Sequence, residues 1–220
     1  AISIRDYSAI KIPVYLMSGW YEYYAGSAGK AFNALREVGA TDEIRMMINP
    51  SNHTNQIVGD REFGSDVHKD ELGEAVRWLD YVIKGVDTKI AGESPIRLFV
   101  MGKNEWRFED AWPVSGTQFT QYYFHITDGG RMGVLDTTAP GDETPTRYTY
   151  DPEDPVPSLG GNHSADARRN LDHFVRNGPV DQRPNENRDD LLVFSTSELE
   201  EDVEVIGPIE VVLYASSSAV

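Results

Sequence analysis

Two nearly continuous apolar runs near the start of the chain are the pattern that most restricts its fold. They span residues 12–18 and 44–49, and a strand that is buried on both faces requires a run of this kind. Between them, apolar residues recur at steps of three and four from Ser27 to Val38, and Gly39 follows where a helix often ends. These segments predict one βαβ unit with parallel strands and a right-handed crossover.

One more helix and one more strand are predicted next. A stripe of apolar side chains from about Asp70 to Lys84 predicts a second amphipathic helix, and Gly85 stands at its expected end. The stripe consists of Leu72, Ala75, Val76, Leu79, Val82 and Ile83. Residues 96–101 are again mostly apolar, which predicts a third strand.

The pattern changes near residue 115. Helical periodicity disappears, and short β-rich segments alternate with clusters of Gly, Pro and Asp, which is typical of an all-β sandwich or jelly roll. The predicted strands cover residues 119–125, 147–150, 191–195, 203–206 and 209–214. The sequence therefore predicts an α/β domain in residues 1–114 and the start of an all-β domain in residues 115–220.

The charge and composition of the chain argue against several classes of function. There are 36 acidic and 20 basic residues, a formal net charge of -16, and such a field repels nucleic acid and anionic membranes. The chain has no cysteine, which excludes a disulfide, a thiolate nucleophile and cysteine-ligated zinc. No apolar stretch approaches the roughly 18 residues that span a bilayer. We expect a soluble protein, located in the cytoplasm rather than secreted.

An acidic residue and a histidine stand just after the first two predicted strands. Glu22 follows the first strand and His53 the second, so both belong to the carboxyl edge of a parallel sheet, where ligands gather. Acid before histidine is the order of the last two members of an α/β-hydrolase triad. In such a triad the carboxylate orients the imidazole, and the imidazole takes the proton of a serine.

The serine of such a triad should come earlier in the chain. Residues 25–29 (AGSAG) resemble the G-x-S-x-G elbow, but only one strand separates Ser27 from His53, whereas further βα units should lie between an elbow and its histidine. Ser27 is better explained as an N-cap or first-turn residue whose small neighbours allow close packing. The hypothesis is therefore the second half of a serine hydrolase, with its serine and N-terminal half upstream.

Other groups give weaker support for a site. Asp151, Glu153 and Asp154 stand among prolines, which predicts a rigid acidic turn, and they lack the spacing of an EF-hand calcium loop. The remaining histidines lack a metal-binding spacing, so neither a metal nor a cofactor is predicted. These are His68, His125, His163 and His173. Tryptophans are expected mostly in packing, although Trp20, beside the acid, is a candidate for a substrate pocket.

Several separate motifs resemble the cocaine-esterase and X-Pro dipeptidyl-peptidase group of α/β-hydrolases. Residues 19–21 (GWY) precede the acid, and residues 49–50 (NP) lead to the histidine. Further similar segments are residues 60–64, 98–102, 105–107, 150–152, 154–161, 181–183, 188–190 and 214–219. The resemblance implies the C-terminal part of an α/β-hydrolase domain in residues 1–114, followed by the start of a jelly roll. It also implies that the serine, the oxyanion-hole donors and a helical cap lie upstream.

By position, the resemblance implies that Glu22 is the triad acid and His53 the base. Trp20 and Tyr21 match the motif that presents the acid, and they are candidates for the substrate pocket. Two features depart from the pattern of the group. The usual acid is aspartate, so the longer glutamate must fold back or the strand end must shift. The usual histidine motif contains a tryptophan, and its absence from residues 49–53 (NPSNH) removes an aromatic wall beside the base.

The functional hypothesis is a hydrolase that cleaves small esters or amides through an acyl-enzyme, without metal or cofactor. The alternative is a non-catalytic binding or assembly protein that uses its jelly-roll domain. Alone, the strands at residues 12–18 and 44–49 would expose apolar edges. We therefore expect the chain to associate with its upstream half, or to aggregate and form a homodimer without it.

Overall fold

The part of the chain that the structure describes forms two β-sheets, and Glu22 and His53 lie just beyond two strands of the first. A computed structural model describes residues 6–39, 41–53, 59–67, 71–126, 129–162 and 177–218. The first sheet consists of β1 (Val14–Tyr21), β2 (Ile44–Asn52), β3 (Ile96–Val100) and β4 (Glu105–Glu109). Helix α1 (Ala25–Glu37) joins β1 to β2, and α2 (Glu71–Lys84) comes between β2 and β3 in the chain.

The first sheet confirms the parallel strands of the predicted βαβ unit. Its order is β1-β2-β3-β4, with β1, β2 and β3 parallel and β4 antiparallel to β3. Both predicted helices form, although residue 70, the expected start of the second, lies outside the described residues. Strand β4 was not predicted. It is short and follows a tight turn in which Gly102 and Asn104 have left-handed backbone conformations.

One face of the first sheet packs against α1 and forms an apolar core. Met46 and Ile48 of β2 are almost fully buried in one cluster with Phe32 and Leu35 of α1. The other buried members of this cluster are Ala28, Ile44, Ile96, Leu98 and Val114. Since burial of one large apolar side chain contributes about 1.5–3 kcal/mol, this cluster fixes α1 against β2 and β3.

The other face of the sheet carries charged side chains, and α2 meets it with charges of its own. Arg45 and Arg97 are buried on this face. Arg97 forms an ion pair of 3.4 Å with Glu74 of α2, and Arg77 bridges Glu74 and Glu93 at 2.8 Å each. The large side chains of the predicted apolar stripe therefore point away from the sheet. The exposed members are Leu72, Val76, Leu79 and Ile83.

The second sheet is smaller than the predicted all-β domain. It consists of β5 (Tyr123–His125), β6 (Met132–Asp136) and β7 (Val193–Ser195). Strands β5 and β6 are antiparallel, whereas β6 and β7 are parallel. The strands predicted at residues 119–125 and 191–195 are thus confirmed only in their last three residues. Neither β6 nor the short helix α3 (Arg183–Glu186) was predicted.

Three further predicted strands are wrong. They are residues 147–150, 203–206 and 209–214, which have no strand pairing. Contacts with the first sheet replace pairing in the second of these segments, since Glu204 forms ion pairs with Lys103 and Arg107 and Ile206 packs against the core below α1. A jelly roll has about eight strands. The described residues contain a mixed three-stranded sheet in this region and do not confirm a jelly roll.

A glycine in α1 sets how closely this helix approaches the chain around Trp112. A Cβ atom on Gly29 would lie 2.2 Å from Nε1 of Trp112. Asn33 Nδ2 donates a hydrogen bond of 2.7 Å to the carbonyl oxygen of Trp112, and Arg36 Nη1 donates one of 2.8 Å to that of Asp110. The close packing predicted from the small residues of α1 is confirmed at Gly29.

We predict opposite effects of two Gly→Ala substitutions in α1. Gly29→Ala should lower the free energy of unfolding by about 1–3 kcal/mol, because the new methyl group overlaps Trp112. Gly26→Ala should raise it by about 0.5 kcal/mol, since nothing lies within 4 Å of the added Cβ and alanine favours a helix. Urea denaturation measures both values, and equal stability of the two variants would contradict the close contact.

His125, at the end of β5, is best satisfied as an imidazolium. Its Nδ1 lies 2.6 Å from Oε1 of Glu143, and its Nε2 lies 3.0 Å from the carbonyl oxygen of Thr138. Both ring nitrogens face acceptors, so only the protonated ring can donate to both. The hydrogen bond with Glu143 accordingly raises the pKa of His125 above its usual value.

This arrangement predicts a stability term that disappears at alkaline pH. When a group has a higher pKa in the folded than in the unfolded state, its protonation stabilises the fold. This stabilisation is complete at pH values below the unfolded pKa of about 6.5, and it is lost as the pH rises through the folded-state pKa. The stability difference between wild type and His125→Ala should therefore shrink as the pH rises above the unfolded pKa of about 6.5 and through the raised folded-state pKa. Urea denaturation at a series of pH values measures it. A difference that stays constant over this range would rule out the protonated contact.

Candidate active site

The structure brings Glu22 and His53 together at the carboxyl edge of the first sheet. Glu22 directly follows β1 and His53 directly follows β2, and these strands are parallel neighbours. Nδ1 of His53 lies 3.0 Å from Oε1 of Glu22. The side chain of Glu22 is 12% exposed and that of His53 is 51% exposed, so the carboxylate is sheltered while the imidazole is open to solvent.

An extra residue in β2 aligns the two side chains. Gly19 pairs with Asn49, yet Tyr21 pairs with Asn52, so β2 takes three steps where β1 takes two. Asn49 Oδ1 accepts hydrogen bonds from the backbone N–H and the hydroxyl of Ser51, at 2.9 Å and 2.5 Å. A Cβ on Gly19 would lie 2.2 Å from the carbonyl oxygen of Ser51, so this close approach requires glycine. The shift places the residue after Asn52 beside the residue after Tyr21.

Ser18 holds the second oxygen of the carboxylate. Its hydroxyl donates a hydrogen bond of 2.8 Å to Oε2 of Glu22, and Ser18 itself is buried. The side chain of Glu22 thus folds back along β1 by four residues, which is one of the two adjustments expected for the longer acid. Among the described residues, the hydroxyl of Ser18 contacts one carboxylate oxygen and the imidazole of His53 contacts the other.

The contact with Glu22 assigns different tasks to the two imidazole nitrogens. A carboxylate accepts hydrogen bonds only, so Nδ1 of His53 carries the proton in the neutral ring. The lone pair then lies on Nε2, which is the nitrogen that can take a proton from a nucleophile. The pair can therefore act as an imidazole base that a carboxylate holds in one tautomer.

Tyr23 and Tyr24 lie beside His53 and were not among the predicted site residues. The ring centroids of Tyr23 and Tyr24 are 6.2 Å and 6.4 Å from that of His53. They are partly exposed and contact each other edge to face, with centroids 6.1 Å apart. Although residues 49–53 contain no tryptophan, the imidazole therefore has aromatic neighbours from the other strand end. The sequence signal was the aromatic run on both sides of Glu22.

Trp20 and Tyr21 make contacts that point into the fold. Nε1 of Trp20 donates a hydrogen bond of 2.8 Å to the carbonyl oxygen of Phe99, and its ring packs against the core below α1. Tyr21 packs against a second cluster that contains Phe63 and Phe99. Burial raises the pKa of Tyr21. These contacts hold the end of β1, and a substrate-pocket role for either residue stays a prediction.

Comparison with known families identifies the second part of the chain. Residues 88–220 match the X-Pro dipeptidyl-peptidase C-terminal non-catalytic domain, which is more than half of the chain. The chain belongs to this family. Glu22 and His53 precede the matched residues. The candidate site therefore lies outside the domain whose name calls it non-catalytic.

Similarity to individual proteins also covers residues before 88, where the family match begins. A cocaine esterase from Rhodococcus sp. (strain MB1 Bresler) is 36% identical over 227 residues, which covers 94% of this chain and 36% of that protein. An aminopeptidase from a marine sediment Thaumarchaeota archaeon has a TM-score of 0.52 at 17% identity, covering 74% of this chain and 29% of that one. The chain thus spans about a third of each. The resemblance to the cocaine-esterase and X-Pro dipeptidyl-peptidase group is confirmed.

The other groups considered in the sequence do not belong to the Glu22–His53 site. Ser27 is exposed in the first turn of α1, as predicted. The predicted acidic turn also forms, since Asp151 Oδ1 accepts from the N–H of Glu153 at 2.9 Å and Arg188 pairs with Asp154 at 3.2 Å. Across the described ranges, no three His, Asp or Glu side chains cluster as a metal site requires. Three of the scattered histidines, His68, His163 and His173, lie outside the described residues.

Of the helices in the described ranges, none has the length and apolar character needed to cross a bilayer.

Removal of the Ser18 hydroxyl should lower the stability of the fold without changing the side chain of His53. Ser18→Ala should lower the free energy of unfolding by about 1–2 kcal/mol, because a sheltered carboxylate oxygen loses its hydrogen bond. Ser27→Ala, an exposed serine in α1, is the matched control and should stay within about 0.5 kcal/mol of wild type. Urea denaturation compares them. Equal stability of the two variants would show that the Ser18 contact contributes nothing.

Proposed function

We propose that this sequence is part of a serine hydrolase that cleaves ester or amide bonds of small substrates through an acyl-enzyme. In this reaction an upstream serine attacks, His53 moves the proton, and Glu22 orients His53 and stabilises its protonated form. The observation that carries the proposal is the 3.0 Å contact between Nδ1 of His53 and Oε1 of Glu22 at adjacent strand ends. The similarity to a cocaine esterase supports ester chemistry.

The proposed reaction has two halves that use the same nitrogen. In the first, the serine oxygen bonds to the acyl carbon while its proton moves to Nε2 of His53, and that proton then leaves with the alcohol or amine as the substrate bond breaks. In the second, water gives a proton to Nε2 as its oxygen bonds to the acyl carbon. The bond between the acyl carbon and the serine oxygen then breaks, so the carboxylic acid leaves and the serine oxygen takes the proton back from Nε2. Throughout, Nδ1–H of His53 stays with Glu22.

The surroundings of His53 suit a shared site. Half of its side chain is exposed, which leaves room for a serine and a substrate on the open side. We assign Tyr23 and Tyr24 to one wall of the substrate site, because they are the aromatic neighbours of the imidazole. We also assign residues 1–114 to the end of an α/β-hydrolase domain and residues 115–220 to the start of a jelly roll, as the resemblance implies.

A binding or assembly role for the C-terminal region is the second candidate. One observation favours it, which is the description of residues 88–220 as a non-catalytic domain. The two candidates differ in one consequence: a binding protein has no use for a tautomer fixed at His53, whereas a hydrolase does.

Substitution of either His53 or Glu22 should strongly slow hydrolysis. In the protein that includes the upstream hydrolase half, His53→Ala should lower kcat/KM for a short-chain p-nitrophenyl ester by at least about 10³-fold, since no base remains. Glu22→Gln should lower it by about 10²–10⁴-fold, because the amide no longer fixes the tautomer. Initial-rate kinetics measure both. Near wild-type rates for His53→Ala would overturn the proposal.

Ser27 provides the matched control. Ser27→Ala should retain full activity, and a fluorophosphonate should label a serine upstream of this sequence, as peptide mass mapping would show. Activity-dependent label on Ser27 would mean that the elbow-like residues 25–29 supply the nucleophile, against the proposed assignment.

A further inference from the structure

A buried amide contact joins the strand that ends at His53 to the C-terminal region. Asn52, the residue before His53, donates a hydrogen bond of 3.2 Å from Nδ2 to Oδ1 of Asn177. The two residues are 125 positions apart and are only 5% and 8% exposed. A buried hydrogen bond between distant segments fixes their relative position, because breaking it leaves polar groups unsatisfied.

A second set of contacts ties the chain just beyond the histidine to the same segment. The backbone N–H of Asp60 donates a hydrogen bond of 2.6 Å to the carbonyl oxygen of Pro179. Oδ2 of Asp60 accepts one of 3.1 Å from the N–H of Asp181. A Cβ on Gly59 would lie 2.6 Å from Pro179, so the two backbones are in close contact. Residues 177–181 therefore hold the chain on both sides of His53.

This segment is itself anchored. Gly161 and Gly178 form a two-way backbone bridge, with N–H to carbonyl distances of 2.8 Å and 2.9 Å. Gln182 Nε2 donates to the carbonyl oxygen of Leu159 at 2.8 Å. Residues 177–181 and the adjacent Gln182 thus contact residues 159–161 as well as the chain on both sides of His53.

We propose that residues 177–181, in the domain described as non-catalytic, are a positioning segment for the base His53, and that Asn177 is its principal positioning residue. The inference rests on the proposed function, since it concerns the base of that reaction. Asn52 pairs with Tyr21 beyond the bulge of β2, and its side-chain hydrogen bond with Asn177 adds a second constraint on the backbone there. A small displacement there would move the imidazole off Glu22, and errors of about 1 Å can cost about 10²-fold in rate.

The experiment measures the tautomer of the His53 ring and, separately, the rate of hydrolysis. Long-range ¹H–¹⁵N NMR of the histidine-labelled 220-residue chain, at about pH 8 where histidine rings are usually neutral, reports which ring nitrogen carries the proton. Wild type should show the Nδ1–H tautomer of His53. Asn177→Ala should shift His53 towards the Nε2–H tautomer and, in the protein with its upstream half, lower kcat about tenfold with KM within about twofold.

Asn185→Ala is the matched control. Asn185 has the same 8% exposure as Asn177, and its Nδ2 donates 2.8 Å to the carbonyl oxygen of Pro157 rather than to the strand end before His53. It should leave both the tautomer and kcat unchanged. If Asn177→Ala does not fold, Asn52→Ala removes the same hydrogen bond from the other side. Where both fold, the double variant should lose less than the sum of the losses of the two single variants, because both remove the same hydrogen bond.

The outcomes separate this inference from the proposed function. An unchanged His53 tautomer in Asn177→Ala and Asn52→Ala, or a wild type without the Nδ1–H form, would overturn the positioning role whatever the rates are. A shifted tautomer together with hydrolysis that survives His53→Ala would support the positioning segment and refute the proposed function. An effect of Asn185→Ala equal to that of Asn177→Ala would reduce both to general loss of structure.

Discussion

The parallel pairing of β1 with β2 is the constraint on which the candidate site depends. Neither Glu22 nor His53 belongs to a strand, and each is the first residue beyond one. Their 3.0 Å contact therefore exists only if the two strand ends are level. Side chains alternate between faces along a strand, so a register change of one residue would separate them. The extra residue in β2 and the missing side chain at Gly19 produce the required alignment, which is a property of backbone geometry.

The two faces of the first sheet are stabilised by different forces. Apolar burial fixes α1, whereas α2 is held by the ion pair between its Glu74 and the buried Arg97, and by its buried Trp78, whose ring packs edge to face on Tyr15 of β1. Arg45 Nη2 donates to the carbonyl oxygen of Ile90 at 2.5 Å, and the guanidinium of Arg97 lies 4.6 Å from the ring centre of Trp106. Buried charges are costly unless they are paired, so the position of the charged side of α2 is constrained by Glu74. This constraint explains why the apolar stripe of α2 points outward.

How much of this could be read from the sequence differs between the regions. The runs at residues 12–18 and 44–49 are apolar on both faces, so the parallel strands, and with them Glu22 and His53, were predictable. The pattern at residues 203–206 misled, because the apolar side chain there packs against another core instead of forming a ladder. Ser18 and Asn177 could not be predicted, since a hydroxyl or an amide acquires its role only from a partner that the fold brings near.

The boundary of the family match does not follow the hydrogen bonds. The family match begins at residue 88, yet β3 lies within the matched residues and pairs with β2, the strand that ends at His53. Glu204 extends the same connection through its ion pairs with Lys103 and Arg107. Because β2 lies between β1 and β3, any loss of β3 would remove one of its two neighbours and expose the core against α1. The geometry of Glu22 and His53 is thus coupled to a region that supplies neither residue.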